Sequence, residues 1–489
     1  MTYDSIHHPI VGIDLGTTYS VISRWDGNKA DVYCPKGEYL VPSAVYYDKG
    51  KFIVGKAAKD RGVMFPENLC IGIKRHMDYK DIKIQIGDST FTPIELSAEI
   101  LNHVYSNVVN MFPKDEFNSE GVVITVPYYF RANQISNTEA AAKKAGLNVI
   151  GILQEPIAAA FAYGLYLDSN EGKNENILVF DLGGGTFDVT IFSLKIDDTK
   201  ICFNTLASNG DDRLGGLDFD NEIYNYVLKR EGLDFSTLPE KQKNICKSKL
   251  MEQIVSAKER LAFDEIAYIQ AIDIPPGSFL ECALTLEELN GCLKDYCDKI
   301  RSILKDAVDF ANLEPDDIHK VIKIGGSSKM LIMDEIIGEI VGKGKVYGDI
   351  DPDLAVSKGA SIYGAFLNDR MGTRKDIDIK LINTHPLGVK TDGDEFVELI
   401  PKNVMLPYEQ SLTFVNAEDN ETDMEIEVYQ GIHDLCSKNK KIGTIEIKGL
   451  KPAPKETLDI DITFKINLDQ TIDVTVVQKD SGINVTKRF

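Results

Sequence analysis

Apolar and polar positions follow two different periods along the chain, and the change of period falls near Asn368. Before that point, short β-branched runs alternate with longer stretches in which apolar residues recur at helical spacing, which predicts an α/β architecture for residues 9–367. After it, the period is almost purely two, and turn residues separate the runs. This second pattern predicts an all-β sandwich or barrel of about 100 residues.

The strand candidates of the first part are rich in β-branched residues and are bounded by Gly, Pro or Asp. They are Ile10–Asp14, Val122–Val126, Ile177–Asp181 and Val321–Ile324. Helices are predicted over Ala132–Ala145, Ile157–Leu167 and Glu240–Ala262. Strands of the second part are predicted from DMEIEVYQG, TIEIKGL, LDIDITFKI and TIDVTVVQK, and the polar stretch between the two parts predicts a flexible or extended linker.

One short motif occurs twice in the first part. The segment DLGTTYSV begins at Asp14, and the segment DLGGGTFDV begins at Asp181. Each follows an apolar strand (IVGI, ILVF) and runs into a second strand, so the chain contains two strand–turn–strand hairpins. A duplicated unit of this kind predicts two related halves with a cleft between them.

The chemistry of these two turns suits a polyphosphate. A turn rich in Gly and Thr exposes successive backbone N–H groups and hydroxyls, which form a concave cradle for phosphate oxygens. Carboxylates beside phosphates commonly hold Mg²⁺, and Asp14 and Asp181 end the first strand of each hairpin. A single turn of this composition is also typical of an ordinary hairpin, so the prediction depends on the matched pair.

Two further segments are candidates for the same cleft. Glu155 stands at a strand-to-helix junction, where its carboxylate would either orient an attacking water or cap the helix. The glycines of Ile324–Lys329 follow a strand and would let a flat adenine lie against the backbone. The chain lacks the GxxxxGK[ST] loop, the GxGxxG loop and the protein-kinase motifs, so a nucleotide would bind through the paired hairpins.

The net charge argues against some classes of binding partner, and the cysteine content indicates the redox compartment. A net charge of −22 argues against nucleic acid and anionic membrane surfaces, because a field of that sign repels phosphate. The eight cysteines are scattered without a CxxC pair, which favours reduced thiols over a disulfide framework or a zinc site. No secretory signal or membrane-spanning run is recognisable, so we expect a cytoplasmic protein with no nucleic-acid or membrane partner.

Six segments of the chain together resemble a known family. They are VGIDLGTTYS, VPYYF, EPIAAAFAYGL, DLGGGTFDV, GGSSK and VYQG. In order and spacing they resemble the seventy-kilodalton heat-shock protein (DnaK-like chaperone) family, in a short form that lacks the helical lid. The resemblance implies an actin-like ATPase domain over residues 1–370, a linker over 371–385 and a peptide-binding β-sandwich over 386–489. The implied function is a chaperone that hydrolyses ATP slowly and couples hydrolysis to the binding of extended hydrophobic peptides.

The resemblance also implies roles for individual residues and partners. The catalytic candidates are Lys74, Glu155, Asp181 and Thr186, and the ATP or ADP candidates are Asp14, Gly16, Thr17, Thr18, Tyr19, Gly183, Gly184, Gly185, Thr186, Lys258, Gly325, Gly326, Ser327, Lys329 and Asp353. Mg²⁺, with K⁺ as a further candidate, is expected near Asp14, Asp181 and Asp188. The peptide candidates are Val389, Asp392, Phe414, Ala417, Met424 and Ile426, with ordinary sandwich core as the alternative, above all for Phe414 and Ile426. The implied partners are unfolded or extended peptides, J-domain proteins and nucleotide-exchange co-chaperones.

Several positions depart from the family pattern. Lys329 stands where an arginine is usual in the adenine pocket, and Glu259 and Ala262 replace residues that contact the nucleoside, so we expect a lower ATP affinity. Ile135 replaces an interdomain arginine and the linker carries charges, which leaves the coupling between the domains open. Two other functions also stay open: a small-molecule kinase on the same core, and a nucleotide sensor or co-chaperone that does not hydrolyse ATP.

Overall fold

The computed structural model divides the chain into two compact units. It describes residues 8–78, 82–114, 116–163, 174–197, 200–348, 351–368, 376–391, 393–468 and 470–489. The first unit comprises Met1–Phe130, Gln134–Phe203 and Asn209–Asp378, and the second comprises Arg131–Asn133, Asn204–Ser208 and Ile379–Phe489.

Ten α-helices lie in the described part of the chain. They are α1 (Lys56–Gly62), α2 (Pro93–Val109), α3 (Ala132–Lys144), α4 (Glu155–Ala162), α5 (Gly216–Glu231), α6 (Glu240–Arg260), α7 (Leu286–Cys292), α8 (Lys294–Phe310), α9 (Leu331–Val341) and α10 (Ala355–Leu367). Helices α2 and α7 each begin with a capping box, in which Thr92 and Thr285 bond to the glutamate three residues later. Within the described residues, none of the helices is both long enough and apolar enough to cross a membrane.

The strands of the described residues fall into the two parts that the periodicity predicts. The first part contains β1 (Ile10–Leu15), β2 (Tyr19–Trp25), β3 (Ala30–Val32), β4 (Val41–Pro42), β5 (Val45–Asp48), β6 (Lys51–Val54), β7 (Leu69–Cys70), β8 (Ile84–Ile86), β9 (Ser89–Phe91), β10 (Gly121–Val126), β11 (Val149–Gln154), β12 (Asn174–Leu182), β13 (Phe187–Ile196), β14 (Lys200–Asp211), β15 (Ile266–Ile272), β16 (Phe279–Thr285) and β17 (Ile318–Ile324). The remainder are β18 (Asp376–Lys380), β19 (Leu387–Lys390), β20 (Phe396–Ile400), β21 (Tyr408–Val415), β22 (Asp423–Gln430), β23 (Lys440–Lys448), β24 (Asp459–Ile466), β25 (Ile472–Gln478) and β26 (Ile483–Arg488).

The first unit contains two sheets built on the duplicated hairpins. In one sheet, β1 pairs antiparallel with β2 and parallel with β10, and β11 lies beside β10. In the other, β12 pairs antiparallel with β13 and parallel with β17. We call the first sheet with the elements packed on it lobe I, and the second lobe II. Strands β1, β10 and β12 are buried on both faces, which explains their nearly continuous apolar runs.

The two hairpins have the same geometry. Leu15 pairs with Ser20 at the end of the first hairpin, and Leu182 pairs with Phe187 at the end of the second. Residues 16–19 and 183–186 therefore form equivalent turns. The repeat recognised in the sequence is thus a repeat of structure, with one copy in each lobe.

The second unit contains two four-stranded antiparallel sheets, with strand orders β20-β19-β22-β23 and β21-β24-β25-β26. Alternate residues of β24 and β25 are buried, as expected for a sheet with one face on a core. Ile460, Phe464 and Val474 are fully buried there. The predicted fold class, an α/β part followed by a β-sandwich, is confirmed.

The predicted strands and helices differ from the observed ones mainly in the residues at which they begin and end. The four predicted strands are each one to three residues longer at one or both ends in the structure. Helix α4 begins at Glu155 rather than Ile157, because Pro156 is well suited to the first turn of a helix. Its described part ends at Ala162, and the predicted end at Leu167 lies outside the described residues.

Candidate functional site

The turns of the two hairpins face each other across the first unit. A Cβ atom added to Gly184 would lie 1.8 Å from Oγ1 of Thr18, and one added to Gly185 would lie 2.5 Å from Oγ1 of Thr17. Any larger residue at Gly184 or Gly185 would push the turns apart, so glycine is required at this close approach.

The aspartates one residue before the end of β1 and β12 occupy equivalent positions. Asp14 pairs with Val21 across the first hairpin, and Asp181 pairs with Asp188 across the second. Thr125 on β10 donates a hydrogen bond from Oγ1 to Oδ1 of Asp14 over 3.2 Å. The duplicated motif therefore brings a carboxylate from each lobe to one place.

A cleft of about 350 Å³ opens at the two turns. Small-molecule sites usually have volumes of roughly 300–1,000 Å³. Most of the predicted catalytic and nucleotide residues line this cleft: Asp14, Gly16, Thr17, Thr18, Tyr19, Lys74, Glu155, Asp181, Gly183, Gly184, Thr186, Lys258, Gly325, Gly326, Ser327, Lys329 and Asp353. Gly185 and Asp188 are outside the lining, although each neighbours a lining residue, in the chain or across the hairpin.

Lys74 and Glu155 form a buried ion pair in the cleft. The distance from Nζ to Oε1 is 2.6 Å, and the side chains are 6% and 8% exposed. Burial alone would lower the pKa of Lys74, but the carboxylates of Glu155 and Asp14 outweigh it and hold the pKa above its usual value. Lys74 is therefore a charged, buried lysine and not a solvated surface residue.

The carboxylates around this pair are unusually hard to ionise. Burial, reinforced by the charge of Glu155, raises the pKa of Asp14 to about 7. The same two causes raise the pKa values of Asp181 and Asp188 well above the usual range. Oδ2 of Asp181 and both carboxylate oxygens of Asp188 are buried without a hydrogen-bond partner in the described residues. A bound cation would offset the negative charge of these carboxylates, because burying an ionised carboxylate without a partner costs free energy.

The residues present fit a hydrated magnesium ion. No group of three or more His, Cys, Asp or Glu side chains converges as direct metal ligands in the described residues. Mg²⁺ usually keeps several waters and takes one or two carboxylates together with substrate phosphates. Asp14 and Asp181 satisfy that requirement, and Oγ1 of Thr18, which has no hydrogen-bond partner within the described ranges, lines the same cleft.

Two lysines in another part of the cleft are held by carboxylates. Nζ of Lys258 lies 2.7 Å from Oδ1 of Asp220. Nζ of Lys329 lies 2.6 Å from Oδ1 of Asp351 and 2.6 Å from Oδ2 of Asp353. The ammonium of Lys329 is thus committed to two ion pairs, whereas a guanidinium there would also stack on a base.

Several residues of this region were not predicted from the sequence, including Asp220, Phe263 and Arg75. Asp220 and Phe263 line the cleft, and Phe263 is 82% exposed. Arg75 bonds to the turn of the second hairpin. A usable signal is closeness in sequence, since Phe263 stands three residues after the end of α6 and Glu259, in the last turn of α6, also lines the cleft.

The predicted peptide residues lie in different environments within the β-sandwich. Val389 and Ile426 are only 2% and 5% exposed, so both side chains belong to its core. The remaining described candidates are half-buried or exposed: Phe414, Ala417 and Met424. Asp392 lies outside the described residues. The peptide-binding role of all these positions stays a prediction.

Comparisons with known proteins agree with the resemblance seen in the sequence. The family model described as Hsp70 protein matches residues 10–488. The chain is 32% identical over 480 residues to the chaperone protein DnaK of Halobacterium salinarum, an alignment that covers 97% of this chain and 73% of that protein. It is 34% identical over 510 residues to the chaperone protein DnaK of Buchnera aphidicola subsp. Schizaphis graminum, with 97% of this chain and 77% of that protein covered.

Proposed function

The chain belongs to the Hsp70 protein family, with actin-like α/β lobes followed by a β-sandwich, and from this premise we propose that it is an ATP-dependent molecular chaperone. It binds ATP with Mg²⁺ in the cleft between lobes I and II, hydrolyses it slowly to ADP and phosphate, and couples this to peptide binding. One observation carries the proposal. Two matched turns meet above buried carboxylates from both lobes, next to the Lys74–Glu155 ion pair.

Different residues of the cleft have different roles in phosphoryl transfer to water. Asp14 and Asp181 would hold Mg²⁺, which would supply charge neutralisation at the phosphates. The hydroxyls of Thr17 and Thr18 and the backbone N–H groups of Gly184, Gly185 and Thr186 donate hydrogen bonds to phosphate oxygens. The N–H of Gly183 donates to the Thr186 carbonyl within the turn.

Lys74 and Glu155 act at the attacking water. The ammonium of Lys74 offsets the charge on the γ-phosphate, and the carboxylate of Glu155 accepts a hydrogen bond that orients the water. Asp188 is the candidate for an additional cation such as K⁺. Since phosphoryl transfer depends mainly on positioning and electrostatics, no covalent intermediate with the protein is required.

The nucleoside lies beside the second set of lysines. Lys258, Lys329 and Asp353 contact the ribose or base, and the backbone of Gly325–Ser327 lies against the adenine. Because Lys329 is tied to two carboxylates, the base is held less tightly than by a stacked arginine. Weaker ATP binding than in relatives with that arginine is the expected consequence.

The β-sandwich receives the peptide in this proposal. We assign residues 1–370 to the ATPase domain, 371–385 to the linker and 386–489 to the peptide-binding domain. An extended peptide adds along a strand edge through backbone hydrogen bonds, and an apolar pocket that includes Phe414 selects one side chain. J-domain and nucleotide-exchange co-chaperones are the proposed partners.

Three measurements on the full chain test this function. Calorimetric titration with ATP, with and without Mg²⁺, and phosphate release over hours should show Mg²⁺-dependent binding and slow turnover. A fluorescent extended hydrophobic peptide should bind, and ATP should accelerate its release.

Each alternative predicts a different result. Binding without any phosphate release identifies a nucleotide sensor, and ATP consumption only when a sugar or acid is added identifies a small-molecule kinase. No peptide binding at high micromolar concentration rejects the chaperone role.

A further inference from the structure

Arg75 connects lobe I to the turn of the second hairpin. It follows Lys74 in the short helical turn Ile73–His76. Its Nε and Nη2 donate hydrogen bonds to the carbonyl oxygen of Gly185 over 2.9 and 2.6 Å. Its Nη1 donates to Oδ1 of Asp218 over 3.2 Å, and Nη2 also donates to Oδ2. We call this set of contacts the Arg75 bridge.

All three carbonyl oxygens of residues 183–185 accept hydrogen bonds from donors outside the turn. The backbone N–H groups of Gly216 and Leu217 donate to the first two over 3.0 and 2.8 Å. These donors stand at the start of α5 and belong to lobe II. Of these three donors only Arg75 comes from lobe I, so the Gly185 carbonyl is the one of the three that depends on the neighbouring lobe.

Asp218 ties the bridge to the same helix start. Its Oδ2 accepts a hydrogen bond from the backbone N–H of Gly215 over 2.9 Å. The side chains of Arg75 and Asp218 are each 20% exposed, so solvent screens this ion pair less than an ordinary surface pair. A forked guanidinium–carboxylate contact with charged donors is also among the stronger hydrogen-bonded pairs.

The Arg75 bridge also affects the cleft, through the peptide group that joins Gly185 to Thr186. In a trans peptide the C=O and N–H bonds point in opposite directions. Holding the Gly185 oxygen on Arg75 therefore fixes the direction of the Thr186 N–H, and Thr186 lines the cleft. If the lobes separate, Gly185 loses this donor and the peptide group is free to turn.

We propose that Arg75 is a positioning residue that couples closure of the two lobes to the shape of the phosphate turn, and that it thereby slows nucleotide release. The inference rests on the proposed function, because it requires ATP and ADP to bind in the cleft. Lys74 and Arg75 are adjacent in sequence but have different roles. Lys74 acts on the reacting phosphate, whereas Arg75 contacts the opposite lobe.

The test is the dissociation rate of fluorescent ADP from the full chain, with single-turnover ATP hydrolysis as a second readout. The loss of hydrogen bonds to a charged donor should make release from Arg75→Ala about 10-fold faster or more. Arg75→Lys should release at an intermediate rate, because lysine keeps the charge but cannot fork between Gly185 and Asp218. Asp218→Asn should have a smaller effect, since the bond to Gly185 persists.

Arg230→Ala is the matched control. Arg230 is 23% exposed and pairs with Glu288, 32% exposed, over 2.9 Å, a contact between α5 and α7 that does not cross the cleft. This control should release ADP at the wild-type rate. The double variant Arg75→Ala/Asp218→Asn should release no faster than Arg75→Ala, because both substitutions break one bridge.

Three results would overturn the inference. Wild-type ADP release from Arg75→Ala, with wild-type nucleotide binding, removes Arg75 from positioning and leaves the proposed function standing. Full additivity of the Arg75 and Asp218 effects shows that they do not act through one bridge. A wild-type chain that binds no nucleotide refutes the proposed function and this inference together. Thermal unfolding of each variant separates these results from simple destabilisation.

Discussion

Replacing Lys74 by alanine should nearly abolish ATP hydrolysis while the chain still binds ATP. The Lys74 ammonium is buried, charged and 2.6 Å from Glu155, which places a preorganised positive charge in the cleft. Removing one such group aimed at developing transition-state charge costs about 3–4 kcal/mol, so single-turnover hydrolysis should slow by about 10²- to 10³-fold. ATP affinity should change much less, because the turns and the bound Mg²⁺ still hold the phosphates.

The same substitution also affects stability, and the two effects must be separated. At 2.6 Å and an effective dielectric constant of about 20, the attraction between the two charges is about 6 kcal/mol, and their desolvation cancels much of it. Removing Lys74 alone leaves the carboxylate of Glu155 buried without its partner, which costs about 3–5 kcal/mol of unfolding free energy. The double variant Lys74→Ala/Glu155→Gln removes both charges and should recover thermal stability without recovering hydrolysis.

The assay is rapid-quench single-turnover hydrolysis alongside an equilibrium ATP titration. Lys320→Ala is the matched control, because Lys320 pairs with Glu175 over 2.9 Å and the side chains are 14% and 16% exposed. Lys320 lies at the opposite end of the β12–β17 pair from Asp181, so its loss should leave hydrolysis unchanged. Wild-type hydrolysis by Lys74→Ala would refute the reasoning, as would an equal slowing in Lys320→Ala.

Three further predictions concern the base, the pH dependence and the β-sandwich. Phe263→Ala should weaken ATP and ADP binding alike by about 2- to 10-fold, because an aromatic contact contributes about 0.5–1.5 kcal/mol. An unchanged affinity by calorimetry would show that Phe263 does not contact the base. Hydrogen bonding to Arg488 lowers the pKa of Asp473 to about 2, so Asp473 stabilises the fold above its unfolded pKa of about 4 and this stability is lost as the pH falls towards 2. Since Arg488 is 65% exposed and screened, Asp473→Asn should lower the urea unfolding free energy by only about 1 kcal/mol at pH 7, and a difference that persists at pH 2 would contradict this. Ile426→Ala should cost about 2–5 kcal/mol of unfolding free energy, whereas Phe414→Ala should mainly weaken peptide binding; the reverse pattern would exchange the core and cleft assignments.

Local signals were sufficient to predict the strands and helices named in the sequence analysis and the duplicated hairpins. Strand periodicity, the aspartate at each strand end and the Gly/Thr turns all lie within a few residues of one another, at Asp14 and at Asp181. The same motif in both copies also predicts that the two turns share a cleft. The distance between the two turns depends on the tertiary structure. The close approach of Gly184 to Thr18 therefore appears only in the folded chain.

The groups that complete the site could not be predicted, because their partners are distant in sequence. Asp220 meets Lys258 only where α5 and α6 come together, and Arg75 reaches Gly185 only across the lobes. No local period marks such contacts. In the sandwich, alternation places Ile426 on one face of its strand but does not say whether that face is core or peptide cleft.

The most direct measurement is a structure of the full chain bound to Mg²⁺ and a non-hydrolysable ATP analogue. We predict that phosphate oxygens of one analogue lie within about 3.2 Å of donors from both turns, Thr17 or Thr18 in lobe I and the Gly184–Thr186 backbone in lobe II. An analogue whose phosphates touch only one turn, or that binds outside the cleft, would contradict the central claim.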